Sequence, residues 1–460
     1  MSSISAHLSA PIRSLLARGL GSALLSGLAL VFVLTLASKV VSFVKDAVVA
    51  STFGVSQEID AFMLVFGFMS FAATLLAGGL PESFLPAYVE LKHQKGSRRA
   101  DRMAVQAAVM HLGMLVLFGL LIELGGSFLV EHMADGFSAA TKDQARHTLV
   151  MLFPFLLCFG LSYHLGAWLR ADKKFLIVAC APLLVPLTII GSLILTRRAP
   201  TLEALMFGTN IGSALQLALL MRAVSRQIPA ERRWWRVCLR KWEPQLGVVM
   251  RNAMPFLLGG LAFSSASVVD QTMASWLPAG SVTVLSYSEK LCMIILGVSA
   301  GPLADVLFPY FADQVARRDW KGLRRRLLMS VGVIVGLMLP LAFLLDFFAP
   351  TIVSLLFERG AFHHEDTLRV AHVLRFGALQ IPFYILGIVT ARVIVSMQAS
   401  RFMLIFSFAA LFGNAGLNWL LMQNMGVAGI ALSTALVHGI SSIVACLWCL
   451  MLIRRKEAAK

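Results

Sequence analysis

Charge is what this sequence has least of. Only 14% of its 460 residues are Asp, Glu, Lys or Arg, while 58% are hydrophobic. A soluble chain of this length carries roughly a quarter charged residues, enough to cover several cores. That polar surface is missing, which excludes a set of soluble domains. Acids are the scarcest: 24 Asp and Glu against 40 Lys and Arg leave a formal charge of +16. Cysteine is rare too. The six, Cys158, Cys180, Cys238, Cys292, Cys446 and Cys449, lie in or beside apolar stretches and do not form a disulfide framework. Cys446 and Cys449 make a C-x-x-C inside an apolar run without a second Cys or His pair, so packing is expected there rather than redox or zinc chemistry. There is no P-loop, G-x-S-x-G, H-E-x-x-H or nucleotide fingerprint. No polar insertion is large enough to house an ATPase or a transferase. The expectation is a transporter, not an enzyme.

What is present is a series of apolar segments, at about 21–48, 60–90, 104–131, 147–169, 175–196, 203–224, 245–276, 282–312, 327–348, 367–397, 402–422 and 426–453. Most reach the ~20 residues that span the hydrocarbon of a bilayer. They are continuously apolar rather than alternating, which favours helices over a β-barrel. The expected fold is therefore an all-α polytopic membrane protein of about twelve transmembrane helices. The first run follows Arg13 and Arg18 as a signal peptide would, but no small-residue cleavage site leads into a soluble domain.

The basic residues alternate between loops. The termini and the loops after every second segment hold 28 of the 40 Lys and Arg, and the other loops hold five. The positive-inside rule then places both termini and the basic loops in the cytoplasm. Topology and anionic headgroups account for the net charge, so nucleic acid is not an expected partner and membrane lipid is. The remaining seven, Lys39, Lys45, Arg251, Lys290, Arg369, Arg375 and Arg392, fall within or at the ends of segments.

The two halves repeat each other. Asp46, Ala50 and Ser51 return as Asp270, Ala274 and Ser275, offset by 224. Ala77, Gly78, Leu80 and Pro86 return as Ala300, Gly301, Leu303 and Pro309, offset by 223. Six helices per repeat predict two lobes, 1–228 and 229–460, that enter the membrane in the same orientation around a central cavity. The basic stretch 226–241, with Trp234 and Trp235, is the expected joint, lying as an interfacial helix. Pro in segments 2 and 8 suggests kinks at equivalent points.

Ionisable residues inside spans cost about 2.5–3.5 kcal/mol each on insertion scales, which makes them functional candidates. Lys39, Ser42 and Asp46 share one face of segment 1 by spacing, with Lys45 about 100° round. Asp60 opens segment 2, and Tyr287, Glu289 and Lys290 lie in segment 8. Lysines with few uncompensated acids point to an anionic ligand such as a phosphate. An organic cation would call for acids and aromatic faces instead. Asn414 and Asn418, at i and i+4, share a face of segment 11; Asp270 lies mid-segment in 7 and Thr434 in 12. Carboxylate, amide and hydroxyl oxygens suit a hard cation, or else hydrogen bonds between helices. The cluster His363, His364, Glu365 and Asp366 reads as a solvated loop.

The sequence resembles the MviN/MurJ family, within the multidrug/oligosaccharidyl-lipid/polysaccharide exporter superfamily. The resemblance rests on Ser38, Lys39, Lys45 and Asp46, then Phe53, Gly54, Asp60, Ala61 and Phe62. It continues through Gly78, Phe84, Leu85 and Pro86, then Gly280, Tyr287, Ser288, Glu289 and Lys290, and on to Phe308 and Pro309. It implies flipping of lipid II, the undecaprenyl-diphosphate-linked peptidoglycan precursor, across the bacterial inner membrane by alternating access. Lys39, Lys45, Asp60, Glu289 and Lys290 then stand at substrate-binding positions, the lysines where the family usually has arginines. Asp270, Asn414, Asn418 and Thr434 resemble the sodium ligands of some members, with sodium as coupling ion and no other cofactor. A basic pair common in the family's segment 2 is Ala72 and Ala73 here. An acid that often follows the segment 8 pair is replaced near Met293. The chain has twelve segments where many members have fourteen. A monomer is expected, in contact with the cell-wall synthesis machinery. A flippase for another polyprenyl-linked glycan, a multidrug antiporter of the same superfamily and a membrane glycosyltransferase are the alternatives. The glycosyltransferase is opposed by the shortness of the loops.

Overall fold

The computed structural model describes residues 20–227, 242–397, 399 and 401–458, and nearly all of them are helical. The rods follow the apolar segments one by one. α1 is Leu20–Phe53 and α2 is Gln57–Lys95. α3, Ser97–Leu124, continues as α4, Gly126–Met133. α5, Ala139–Met151, and α6, Phe153–Ala171, form one rod bent by 45°. This rod starts earlier than its apolar segment because Ser138 caps a polar first turn, its hydroxyl accepting from Thr141 N at 3.2 Å. α7, Phe175–Cys180, runs through a 3₁₀ turn into α8, Leu184–Leu195, and α9 is Leu202–Ser225.

The second half repeats the pattern with α10, Gln245–Ser275, α11, Ser281–Ala316, and α12, Trp320–Phe357. α13, His364–Ala378, leads directly into α14, Gln380–Ser396; α15 is Arg401–Met425 and α16 is Val427–Ala458. His363 to Asp366 start α13 as a capping box rather than forming a loop. Among the described residues, eight stretches are long and apolar enough to cross a membrane, nine with the bent rod counted. The joint at 228–241, the boundary between the expected lobes, and Arg13 and Arg18 lie outside the described residues.

Large apolar side chains cover the outside, among them Leu124, Phe347 and Phe412, each more than 70% exposed. In water such a surface is unfavourable; in hydrocarbon it costs nothing, and the helices satisfy their own backbone. Inside, one core lies around Phe84, Met103 and Trp168 of the first half, with Leu246 and Val249 of α10 packed into it, and another lies within the second half around Phe311, Leu327 and Ile385. A third joins the halves, packing Val49, Phe62 and Met69 against Met273, Leu285 and Phe357. Ala72 and Ala73 are fully buried in that joint core, which leaves no room for the basic pair of the family there.

On the side away from the basic loops the halves meet in close contact at their backbones. Ala361 N donates to Ser51 O at 2.8 Å, and Ser275 Oγ donates to Met133 O at 2.6 Å. Gly54 and Gly360 sit in this seam at φ +59° and +61°, and a Cβ on either would run into the backbone of the opposing loop. Both need glycine twice over, for the left-handed backbone and for the close approach.

Candidate substrate cavity and polar cluster

Between the halves lies a cavity of about 780 Å³. Its lining runs from Asp270 and Asn414, deep between the helices, to Ile394, Met403 and Ala445, toward the helix ends that carry Arg401, Arg455 and Lys456. The seam blocks the other end, so the cavity extends toward the basic side.

Lys45, Asp46 and Lys290 line it together. One carboxylate oxygen, Asp46 Oδ1, accepts from Lys45 Nζ at 2.7 Å and from Lys290 Nζ at 2.8 Å. Asp46 is 6% exposed, so it would be a costly lone charge; the two ammoniums supply its counter-charge. Two cations against one anion leave the group with a formal excess of +1. Tyr287 adds an aromatic face 5.3 Å from Lys290 Nζ. α1 and α11 come from different halves, so this ion group also ties the halves together. Glu289 lines the cavity beside Lys290 and makes no hydrogen bond or ion pair with another described residue.

A second cluster surrounds Asp270. Its Oδ1 accepts from Asn414 Nδ2 at 2.5 Å and Asn418 Nδ2 at 2.6 Å, and its Oδ2 from Thr434 Oγ1 at 3.0 Å. The sequence spacing therefore grouped residues that do meet. The side-chain oxygens of both Asn are buried without a partner. Three neutral donors satisfy the carboxylate, while two amide oxygens beside it have nothing to accept from. A monovalent cation would suit this donor set if the amides turned, since one carboxylate, two amide oxygens and a hydroxyl would then face it.

Two expected site residues are placed elsewhere. Lys39 shares a stripe with Asp46 but stands seven residues, about 10 Å, further along α1. It is exposed, as are Val33, Leu36 and Val40 around it, and it does not line the cavity. Helix spacing puts it on the face of Asp46, but among the described residues that stretch of the face is left exposed. Asp60 does not line the cavity either. It is 1% exposed and caps α11 from the other half, accepting from Gly280 N at 2.5 Å, Thr283 N at 2.7 Å and Thr283 Oγ1 at 2.5 Å. The free N–H groups at a helix start are the natural partner for a buried carboxylate. The acids beside the lysines are Asp46, Asp270 and Glu289, all lining the cavity; Asp46 is compensated by the two ammoniums and Asp270 by three hydrogen bonds.

The sequence reading passed over Gln271, Gln380, Tyr384 and His438, all of which line the cavity. A signal was present: Gln380 and Tyr384, like Thr434 and His438, are polar residues at i, i+4 within apolar helices.

The chain is similar to known proteins over most of its length. Residues 49–459 match the family described as "Lipid II flippase MurJ". A Synechocystis protein named "Probable lipid II flippase MurJ" is 25% identical over 439 residues, covering 93% of this chain and 81% of the relative. A Helicobacter pylori strain J99 protein of the same name is 25% identical over 405 residues, covering 84% and 86%. Among solved structures, "Lipid II flippase MurJ, inward closed conformation" superposes with a TM-score of 0.75 at 21% identity, covering 93% of this chain and 87% of that one. An inward-facing multidrug resistance MATE family transporter gives 0.78 at 17% identity, covering 91% and 96%. At these identities the structural likeness establishes the fold, which both transporter types share. The match across 49–459 distinguishes them, and the chain belongs to the MurJ family of lipid II flippases.

Proposed function

We propose that this protein moves lipid II, or a closely similar polyprenyl-diphosphate saccharide, across the bacterial inner membrane, with both termini in the cytoplasm. The observation that carries the reading is the Lys45–Asp46–Lys290 group on the wall of a cavity that extends toward the basic side. Before substrate arrives, Asp46 keeps the two ammoniums from standing bare in a low-dielectric cavity. A diphosphate brings more negative charge than one carboxylate and replaces Asp46 as their partner. Because the two lysines belong to different halves, the exchange changes what holds the halves together. A ligand moves such an equilibrium only through a difference in affinity between the two states. Here that difference lies in whether the diphosphate or Asp46 pairs with the lysines. The polyprenyl chain is apolar and stays in the bilayer, so only the headgroup needs the cavity.

Sodium is the proposed coupling ion. Asp270, Asn414, Asn418 and Thr434 would hold it, and the two partnerless amide oxygens support that assignment. Bound there, it would supply one positive charge bridging α10, α15 and α16 and favour one state of the second half.

The test is complementation of a flippase-depleted strain, read by the accessibility of lipid II from outside. The unaltered protein should restore it; Lys45→Ala and Lys290→Ala should insert normally and not restore it. If both variants flip lipid II at the unaltered rate, the lysines only pair within the fold and the substrate site is elsewhere.

A further inference from the structure

Along α2 the cavity is lined by Phe62, Met63, Phe66 and Phe71, with Ser70 and Thr74 beside them. α14 presents Gln380 and Tyr384 one turn apart, next to Phe383 and Ile388, and α16 presents His438 one turn beyond Thr434. The Tyr384 and His438 rings meet edge to face at 5.2 Å. Neither the Tyr384 hydroxyl nor the His438 ring nitrogens make a hydrogen bond with another described residue, and Gln380 has a thiol, Cys292, as its side-chain partner. Glu289 adds a carboxyl without a hydrogen bond at the same wall. None of the cavity-lining side chains of α14 and α16 carries a fixed charge.

Polar atoms facing a cavity without protein partners suit a ligand that supplies many donors and acceptors. Aromatic rings beside them offer apolar faces. A diphosphate matches neither feature, because it needs cations, and those stand on α1 and α11. A saccharide matches both, with hydroxyl and amide edges and an apolar C–H face. We infer that Gln380, Tyr384 and His438 form a second subsite, which reads the uncharged saccharide of the lipid while the lysines hold its diphosphate. The inference rests on the transport reading above and extends it to what sets specificity. A site built to hydrogen-bond a group discriminates strongly against a ligand lacking that group.

The test is binding to the full-length protein in lipid nanodiscs, using undecaprenyl diphosphate and lipid II, which share an anchor and differ in the headgroup. The unaltered protein should bind lipid II more tightly. Tyr384→Phe removes one oxygen and keeps the ring, so the fold is retained; combined with His438→Phe it should weaken lipid II about tenfold. Undecaprenyl diphosphate should stay within about twofold, since its contacts are untouched. Lys290→Ala should weaken both lipids. Equal losses for both lipids in the double variant, or no loss for either, would overturn the saccharide subsite. If the unaltered protein binds the two lipids equally, the subsite falls and the diphosphate reading stands. Binding of neither lipid would sink both.

Discussion

Asp60 and Asp270 are both nearly inaccessible carboxylates, each accepting from three uncharged donor groups, yet they are built for different work. Two of the donors to Asp60 are backbone N–H groups at the start of α11, fixed by the helix that follows. Two of the donors to Asp270 are side-chain amides that present oxygen instead of N–H after half a turn. The first carboxylate can only clasp. The second is held by side chains that also carry partnerless acceptors. A membrane interior tolerates a buried charge when it is compensated, and the kind of compensation decides whether the charge holds or switches.

That comparison can be broken most readily at Asp60. Asp60→Ala strands the α11 donors and should cost about 3 kcal/mol, from unsatisfied buried groups at ~1–3 kcal/mol each. Asp60→Asn, which retains an acceptor, should cost less. Thermal unfolding in detergent measures both, and equal stability of all three proteins would remove the clasp.

The next effect concerns Asp270. Sodium should raise thermal stability where choline at the same ionic strength does not. At a concentration about a hundredfold above its dissociation constant, the gain should approach ~2.7 kcal/mol. Asp270→Asn should abolish it. A matching response to both salts would leave Asn414 and Asn418 as hydrogen-bonding residues only.

A smaller loss is expected at the seam that Asp60 supports. Gly360→Ala places a Cβ against the backbone of Ser51 at positive φ, and should lower stability by about 1–3 kcal/mol. A cysteine at Ser51 should become more reactive to an impermeant reagent from outside in that variant. Unchanged reactivity would mean the seam does not depend on close backbone contact. The smallest effect belongs to Lys39→Ala, which should change stability by less than about 0.5 kcal/mol, as exposed substitutions do, and leave lipid transport intact. Loss of transport there would return Lys39 to the substrate path.

Much of the site was legible because a charge or amide in an apolar helix is conspicuous. Asp270, Asn414, Asn418 and Thr434 were grouped from three segments, and they meet. Lys45 and Lys290 were placed in the cavity, and they line it. Asp60 and Lys39 are conspicuous for the same reason, and neither lines the cavity. Polarity within a span marks a residue as needing a partner, without saying whether that partner is a ligand, a helix end or solvent.

The sequence by itself determined the class of fold and where its helical segments run. These follow from local quantities: segment length and apolarity. Only the tertiary structure decided that Asp46 shares one oxygen between two lysines, that Asp60 caps a helix 220 residues further along, and that Gln380, Tyr384 and His438 line the same cavity as the lysines. Helical spacing fixes the direction a side chain takes from its own axis. What stands in that direction depends on how separate helices pack, and distant parts of the chain set that together.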